Sequence, residues 1–171
     1  MKEISFRNDV LPLKNELFRL ALRITLNRAE AEDIVQETMI KVWNRREKWE
    51  EIESMESFCL TICRNIAIDK TRKAANQNQS LDEVVETPDE SYSSNPEAQV
   101  IQSDRVQSVR RLINTLPEKQ RTAMQLRDFE GKSYKEIATI MAVSEEQVKV
   151  NIFRARQAIK KKITESEAYG L

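Results

Sequence analysis

Ser133 is followed three residues later by Glu136, and Ser144 three residues later by Gln147. In each pair the serine hydroxyl can accept from an orphan backbone N–H at a helix start. The acid or amide three residues on can accept in turn from the serine's own N–H. The two boxes lie 11 residues apart, room for a helix of about two turns and a tight connection before the next helix begins. That is the spacing of a helix-turn-helix, whose second helix is presented to the major groove of DNA.

The rest of the chain suits an all-α fold. Only two glycines occur in 171 residues, Gly131 and Gly170. That argues against a turn-rich β fold and against a Gly-rich phosphate loop. With 40% apolar and 33% charged residues the chain can bury a core and need not be disordered. No apolar run approaches the ~20 residues of a membrane span, and the opening MKEISFRNDV lacks a signal-peptide core, so a cytoplasmic location is expected. Cys59 and Cys63, with no histidine anywhere, read as small buried side chains and not as a zinc site. No metal and no other cofactor is expected. The missing histidines also remove the commonest general base.

Net charge is zero, but its distribution is uneven. Arg64, Lys70, Arg72 and Lys73 oppose only Asp69 between residues 58 and 75, whereas residues 80–104 are acidic. Residues 144–163 carry Lys149, Arg154, Arg156, Lys160, Lys161 and Lys162 against Glu145 and Glu146. Two basic segments flanking an acidic one suggest two DNA-facing surfaces. For Lys160 to Lys162 the dipole of a helix C-terminus is an equally good reason.

Helical periodicity divides the chain. Leu13, Leu17, Leu20, Ala21 and Ile24 mark a first helix. Asn27, with Glu30 in the box position, opens a second from Ala29 to about Lys48, with Ala31, Ile34, Val35, Thr38 and Val42 inward. Ser54 caps a third, from Met55 to about Ala75, with Met55, Phe58, Cys59, Ile62 and Ile66 inward. Residues 1–75 are therefore expected as a first small helical domain. Residues 76–97, polar, acidic and holding two of the four prolines, read as a flexible linker. Residues 98–171 form a second domain of four helices, with Pro117 opening one and Gly131 closing it.

At 100° per residue, Val148, Ile152, Ala155 and Ile159 share the inward face of the last helix and are expected to pack on Ile137, Ile140 and Met141. Glu146, Lys149, Val150, Phe153, Arg154, Gln157 and Lys160 face outward. An exposed Phe153 among cations suits a surface that meets phosphates and thymine methyls.

The segment LPEKQRTAMQLRDFEGKSYKEIATIMAVSEEQVKVNIFRARQAIKK resembles domain 4 of bacterial sigma factors. AEAEDIVQETMIKVW and SFCLTICRNIAIDKTRK resemble their domain 2. Both blocks stand in the family's order with no large domain between them, the layout of the extracytoplasmic-function (group 4) sigma factors. The resemblance implies that domain 2 docks on the β′ clamp helices of core RNA polymerase, reads the −10 element and melts it. Domain 4 would sit on the β flap and read the −35 element, with the linker threading toward the RNA exit path. It also implies promoter DNA and an anti-sigma factor as partners.

Carried over to this chain, the resemblance places polymerase docking on Asp33, Gln36, Glu37 and Lys41. Contact with −10 DNA falls to Thr61, Arg64, Asn65 and Arg72, and to Trp49 in the base-capturing loop, where the ring equally suits anchoring the loop. Contact with −35 DNA falls to Glu146, Lys149, Asn151, Phe153 and Arg154. Many relatives have a basic residue at the position of Asn151 and a small or polar one at Val150, and by projection Asn151 lies on the flank. Asp69 is expected to orient Arg72 or Lys73. The alternatives are a DNA-binding regulator, which would carry a ligand-binding or phospho-acceptor domain in place of the N-terminal block, and an enzyme with a helical DNA-binding tail. The sequence offers the enzyme no nucleophile–base pair, metal cluster or phosphate loop.

Overall fold

The computed structural model describes the backbone of residues 3–77 and 96–168, and the side chains of 3–76 and 104–165. The core of the expected linker, residues 78–95, lies outside the described residues. Every regular element among those described is helical. The main helices are α1 (Lys14–Thr25), α2 (Arg28–Asn44), α3 (Met55–Gln77), α4 (Pro96–Asn114), α5 (Glu118–Met124), α6 (Tyr134–Met141) and α7 (Glu145–Ala168). Short turns of π or 3-10 type lead into α1 (Phe6–Val10, Leu11–Leu13), join α2 to α3 (Arg46–Glu51) and extend α5 (Gln125–Phe129). None of the described helices is long and apolar enough to cross a membrane.

The caps form where the spacing places them. Asn27 accepts from the Glu30 N–H at 2.9 Å and starts α2, and Ser54 accepts from Ser57 N–H at 3.2 Å and starts α3. At α6 both bonds of the Ser133–Glu136 box are 3.0 Å. At α7 the Ser144–Gln147 box closes at 3.1 and 3.2 Å. Each box satisfies two backbone donors at its helix start, and Asn27 and Ser54 satisfy one each.

α1 buries Leu17, Leu20, Ala21 and Ile24 completely or nearly so, between α2 and α3. Removing such Leu and Ile side chains from water contributes roughly 1.5–3 kcal/mol each. Cys59 and Cys63 lie in this core, and burial pushes both thiols up to about 12, so they stay protonated and inert. The same cluster continues without a break into Leu126, Ile137, Ile140, Met141, Val148 and Ile152. The N-terminal helices and the helix-turn-helix thus share one core.

One packing expectation needs correction. Val148 and Ile152 do join the cluster containing Ile137, Ile140 and Met141, but Ala155 and Ile159 pack against Ile113, Leu116 and Met124. The cause is length. The 8 residues of α6 span about 12 Å and the 24 of α7 about 36 Å. The distal half of α7 outruns α6 and meets α4 and α5 instead.

The two exits within the second half differ in chemistry. Gly131 takes φ +70° without strain. Between α6 and α7 the left-handed position is held by Ala142, at φ 56° and ψ 47°, with Val143 N–H on Ala138 O at 3.1 Å and Ala142 N–H on Thr139 O at 3.3 Å. This is a Schellman-type stop built on a residue with a Cβ, at a cost of roughly 1–2 kcal/mol. Ala142 is exposed, so its methyl offsets little of that by packing. Replacing it with glycine relieves the strain but loosens the unfolded chain. Ala142→Gly is expected to stabilise the protein by about 0.5 kcal/mol net, read as a raised midpoint in urea unfolding. A lowered midpoint would contradict the strain argument.

Candidate nucleic-acid and polymerase interfaces

The outward face of α7 is assembled by the packing of Val148, Ile152 and Ala155 underneath it. Phe153 is 63% and Val150 43% exposed, flanked by exposed Glu146, Lys149 and Arg154. The Lys149 ammonium lies 5.6 Å from the Tyr134 ring centroid and the Arg127 guanidinium 4.3 Å from the same ring. Arg127 also donates to Lys132 O at 2.8 Å, so this cation is fixed in place. Arg156, beside them, is held by Asp128, which raises its pKa. Asn151 sits half-buried at the flank and folds back to donate to Gln147 O at 2.9 Å. The face is therefore centred on Val150, Phe153 and Arg154, with Lys149 at its edge. Arg127 and Tyr134 are members that sequence reasoning missed. Their only signal was that Tyr134 directly follows the Ser133 cap.

On α3, Asn65 and Arg72 are exposed and Thr61 is half-buried, its hydroxyl donating to Ser57 O at 2.7 Å. Asp69 is exposed and pairs with Lys73 at 3.2 Å. Arg64 is 9% exposed and faces protein, donating to Met141 O and to Glu118 Oε1, both at 3.3 Å. Giving Arg64 to −10 DNA takes its side of α3 to be free. In the structure α6 packs there. Trp49 is 6% exposed, its indole N–H donates to Val42 O at 3.0 Å, and its ring meets Trp43 edge-on at 6.1 Å. In this arrangement it anchors the α2–α3 connection.

On α2, Asp33, Gln36 and Lys41 are exposed, while half-buried Glu37 leans toward Lys70 at 3.7 Å. The face carrying Asp33 and Gln36 also exposes Ile40 (60%) and Trp43 (45%). Trp43 also meets the Phe6 ring edge-on at 5.8 Å and lies under the Arg46 guanidinium at 4.5 Å, whereas Ile40 stands in solvent. Sequence reasoning passed over both, although neither belongs to the inward stripe.

Comparison with known proteins fits this geometry. Sigma-70 region 2 matches residues 10–77, and Sigma-70, region 4 matches residues 107–159. The RNA polymerase sigma-H factor of Pseudomonas aeruginosa is 30% identical over 89% of this chain and 82% of that protein. The ECF RNA polymerase sigma-E factor of Salmonella typhimurium is 33% identical over 77% of this chain and 72% of that protein. The chain belongs to the sigma-70 family, among its extracytoplasmic-function sigma factors. Its fold is that of the sigma factor RpoE crystallised with the anti-sigma factor NepR from Bartonella quintana. The TM-score is 0.76 at 24% identity, over 93% of this chain and 96% of that one.

In this sigma factor the two regions are joined by polar side chains around α1. Lys132, 7% exposed, reaches Glu16 at 2.9 Å and also bonds Glu56. Burial, with the neighbouring charge of Glu56, raises the Glu16 pKa against the pull of Lys132. Arg19 grips Glu130 with two bonds of 2.7 Å. Arg121 donates to the carbonyls of Arg23 and Ile24, both at 3.0 Å, closing the C-terminus of α1. Arg23, brought down to about 10 by burial and the nearby Arg110 and Arg121, bonds Gln125 at 2.9 Å and Asn114 at 3.2 Å.

Removing Lys132 leaves two carboxylates facing one another. Breaking a fully buried pair costs about 3–5 kcal/mol, and the 36% exposure of the Glu56 side chain reduces this to about 2. Lys132→Met is expected to part the regions, seen as a larger radius of gyration in small-angle scattering at unchanged helix content. Adding Glu16→Gln and Glu56→Gln is expected to restore compactness. Scattering identical to wild type for the single variant would remove Lys132 as the fastener.

Proposed function

We propose that this sigma factor loads core RNA polymerase through the Asp33, Gln36, Ile40 and Trp43 face of α2, reads the −10 element along α3 through Asn65 and Arg72, and reads the −35 element with α7. It acts as a non-catalytic specificity subunit in the cytoplasm, where the polymerase is. Residues 1–75 act as domain 2 and residues 98–171 as domain 4, the latter seated on the β flap. The observation that carries this reading is the α7 face: an exposed phenylalanine beside exposed Lys149 and Arg154 on the second helix of a helix-turn-helix, with Val148, Ile152 and Ala155 buried beneath it. That combination suits a major groove, where Arg154 and Lys149 reach base edges or phosphates and Phe153 meets a thymine methyl.

The buried Arg64 adds a conformational requirement. Its Nε makes no hydrogen bond, and its two terminal nitrogens bond Met141 O at the end of α6 and Glu118 on α5. An unsatisfied buried donor costs about 1–3 kcal/mol, so the closed arrangement holds Arg64 imperfectly. Separation of α3 from α6 would free it for the −10 strand. An anti-sigma factor acting on the closed form would keep it hidden.

Run-off transcription tests the whole reading. Core polymerase with this protein is expected to give discrete transcripts from a pool of upstream fragments, absent without it. DNA binding without transcripts would favour a plain DNA-binding regulator. On a promoter found this way, Arg154→Ala is expected to weaken binding by about 1–3 kcal/mol, and unchanged affinity would take Arg154 out of the contact set. Ile40→Glu is expected to abolish co-elution with core enzyme while circular dichroism stays unchanged. Normal co-elution would displace the docking face from α2.

A further inference from the structure

Between α2 and α3 lies a cleft of about 450 Å³ whose cations the proposed docking face and base contacts leave without a role. The volume falls within the roughly 300–1,000 Å³ of small-ligand clefts. Two of its cations are already spoken for, Lys70 by Glu37 at 3.7 Å and Lys73 by Asp69 at 3.2 Å. Lys41 and Arg45 line the same cleft, are exposed, and have no ion-pair partner among the described residues. The exposed Asn65 completes the wall. After internal pairing the cleft keeps two positive charges and a neutral amide beside α3.

Lys41 stands one residue, about 100°, around α2 from Ile40, on the side that meets α3 and away from the apolar face. The position of Arg45 at the end of α2 also suits the helix dipole. That accounts for one cation in the cleft and leaves Lys41 unexplained. Paired cations with an amide donor are the chemistry that grips a phosphodiester, and base contacts need such a grip to fix their register. Asn65, proposed above to read the −10 element, shares the wall, so the phosphate would lie next to the bases being read.

We infer that the α2–α3 cleft seats a backbone phosphate of the −10 promoter strand between Lys41 and Arg45. This rests on the −10 reading of α3, and it moves Lys41 from polymerase docking to DNA positioning. Carboxylates of the polymerase are the competing occupant.

The test uses holoenzyme formed with Lys41→Gln/Arg45→Gln and a promoter fragment recovered by run-off transcription. Binding is expected to fall about ten-fold, with the slope of log K against log salt shallower by about 1–2 units, while affinity for core enzyme alone is unchanged. Lys41→Arg/Arg45→Lys is expected to restore the slope. A single methylphosphonate scanned through the −10 strand should find one position that reproduces the loss in wild type and adds nothing in the double glutamine variant. Unchanged DNA affinity and slope overturn the inference. So does loss of core binding with DNA contacts intact, which would assign the cleft to polymerase. Failure of the wild-type holoenzyme to bind any selected fragment would bring down the −10 reading itself, a result distinct from either.

Discussion

α1 is the strut on which both halves of the molecule depend. Its buried stripe fills the core made with α2 and α3, and its other sides carry Glu16, Arg19 and Arg23, which meet Lys132, Glu130 and Gln125 of the second half. Even its terminal carbonyls are closed from outside, by Arg121. A single twelve-residue helix thus sets where the outward face of α7 stands relative to α3. Anything that displaces α1 moves both interfaces together.

The energetics divide between apolar and ionic parts. One hydrophobic cluster running from Leu17 and Leu20 through Ile137 and Ile152 supplies the apolar attraction between the halves. The ionic contacts contribute less to net stability, because desolvation offsets much of their Coulomb energy. The two partners show the balance: burial, with the nearby Glu56, raises the Glu16 pKa against the pull of Lys132, while Glu56 and Glu16 raise that of Lys132 against its burial. What the ionic set provides is register. A Lys132 slipped by one turn of α1 would leave three charged groups without partners in a space that admits little water. The arrangement is therefore narrow in geometry and moderate in depth.

The helices themselves were legible in the sequence because their signals are local. Capping boxes at Ser133 and Ser144, the Asn27 cap and the 3.6-residue apolar stripes act within one or two turns, and each appears in the structure. The outward face of α7 was readable for the same reason. What sequence could not supply was the second partner of a helix. α3 presents apolar residues to α1 and α2, and nothing in its own pattern marks the opposite side as the seat of α6. Arg64 therefore read as exposed when it is enclosed. The split inner face of α7 was hidden in the same way, since only the mismatch in length with α6 reveals it. Trp49 carried two equal readings until the bond from its indole N–H to Val42 O fixed its position in the core.

Arg64 and Arg154, the two arginines proposed to meet DNA, stand in opposite environments. Arg154 stands in solvent on a helix whose inner face is saturated, so closing the molecule costs it nothing and opening it adds nothing. Arg64 lies on a helix with two packed sides and is held by a carbonyl and a carboxylate, with one donor unmet. In the closed form the α7 face stands free while part of the α3 face is withheld. A ligand that prefers exposed Arg64 shifts the equilibrium toward the open form only by its differential affinity. Duplex DNA that met α7 alone would supply none. On the proposed reading, the free energy of opening would come from contacts made on α2 and α3 and not from the exposed face of α7.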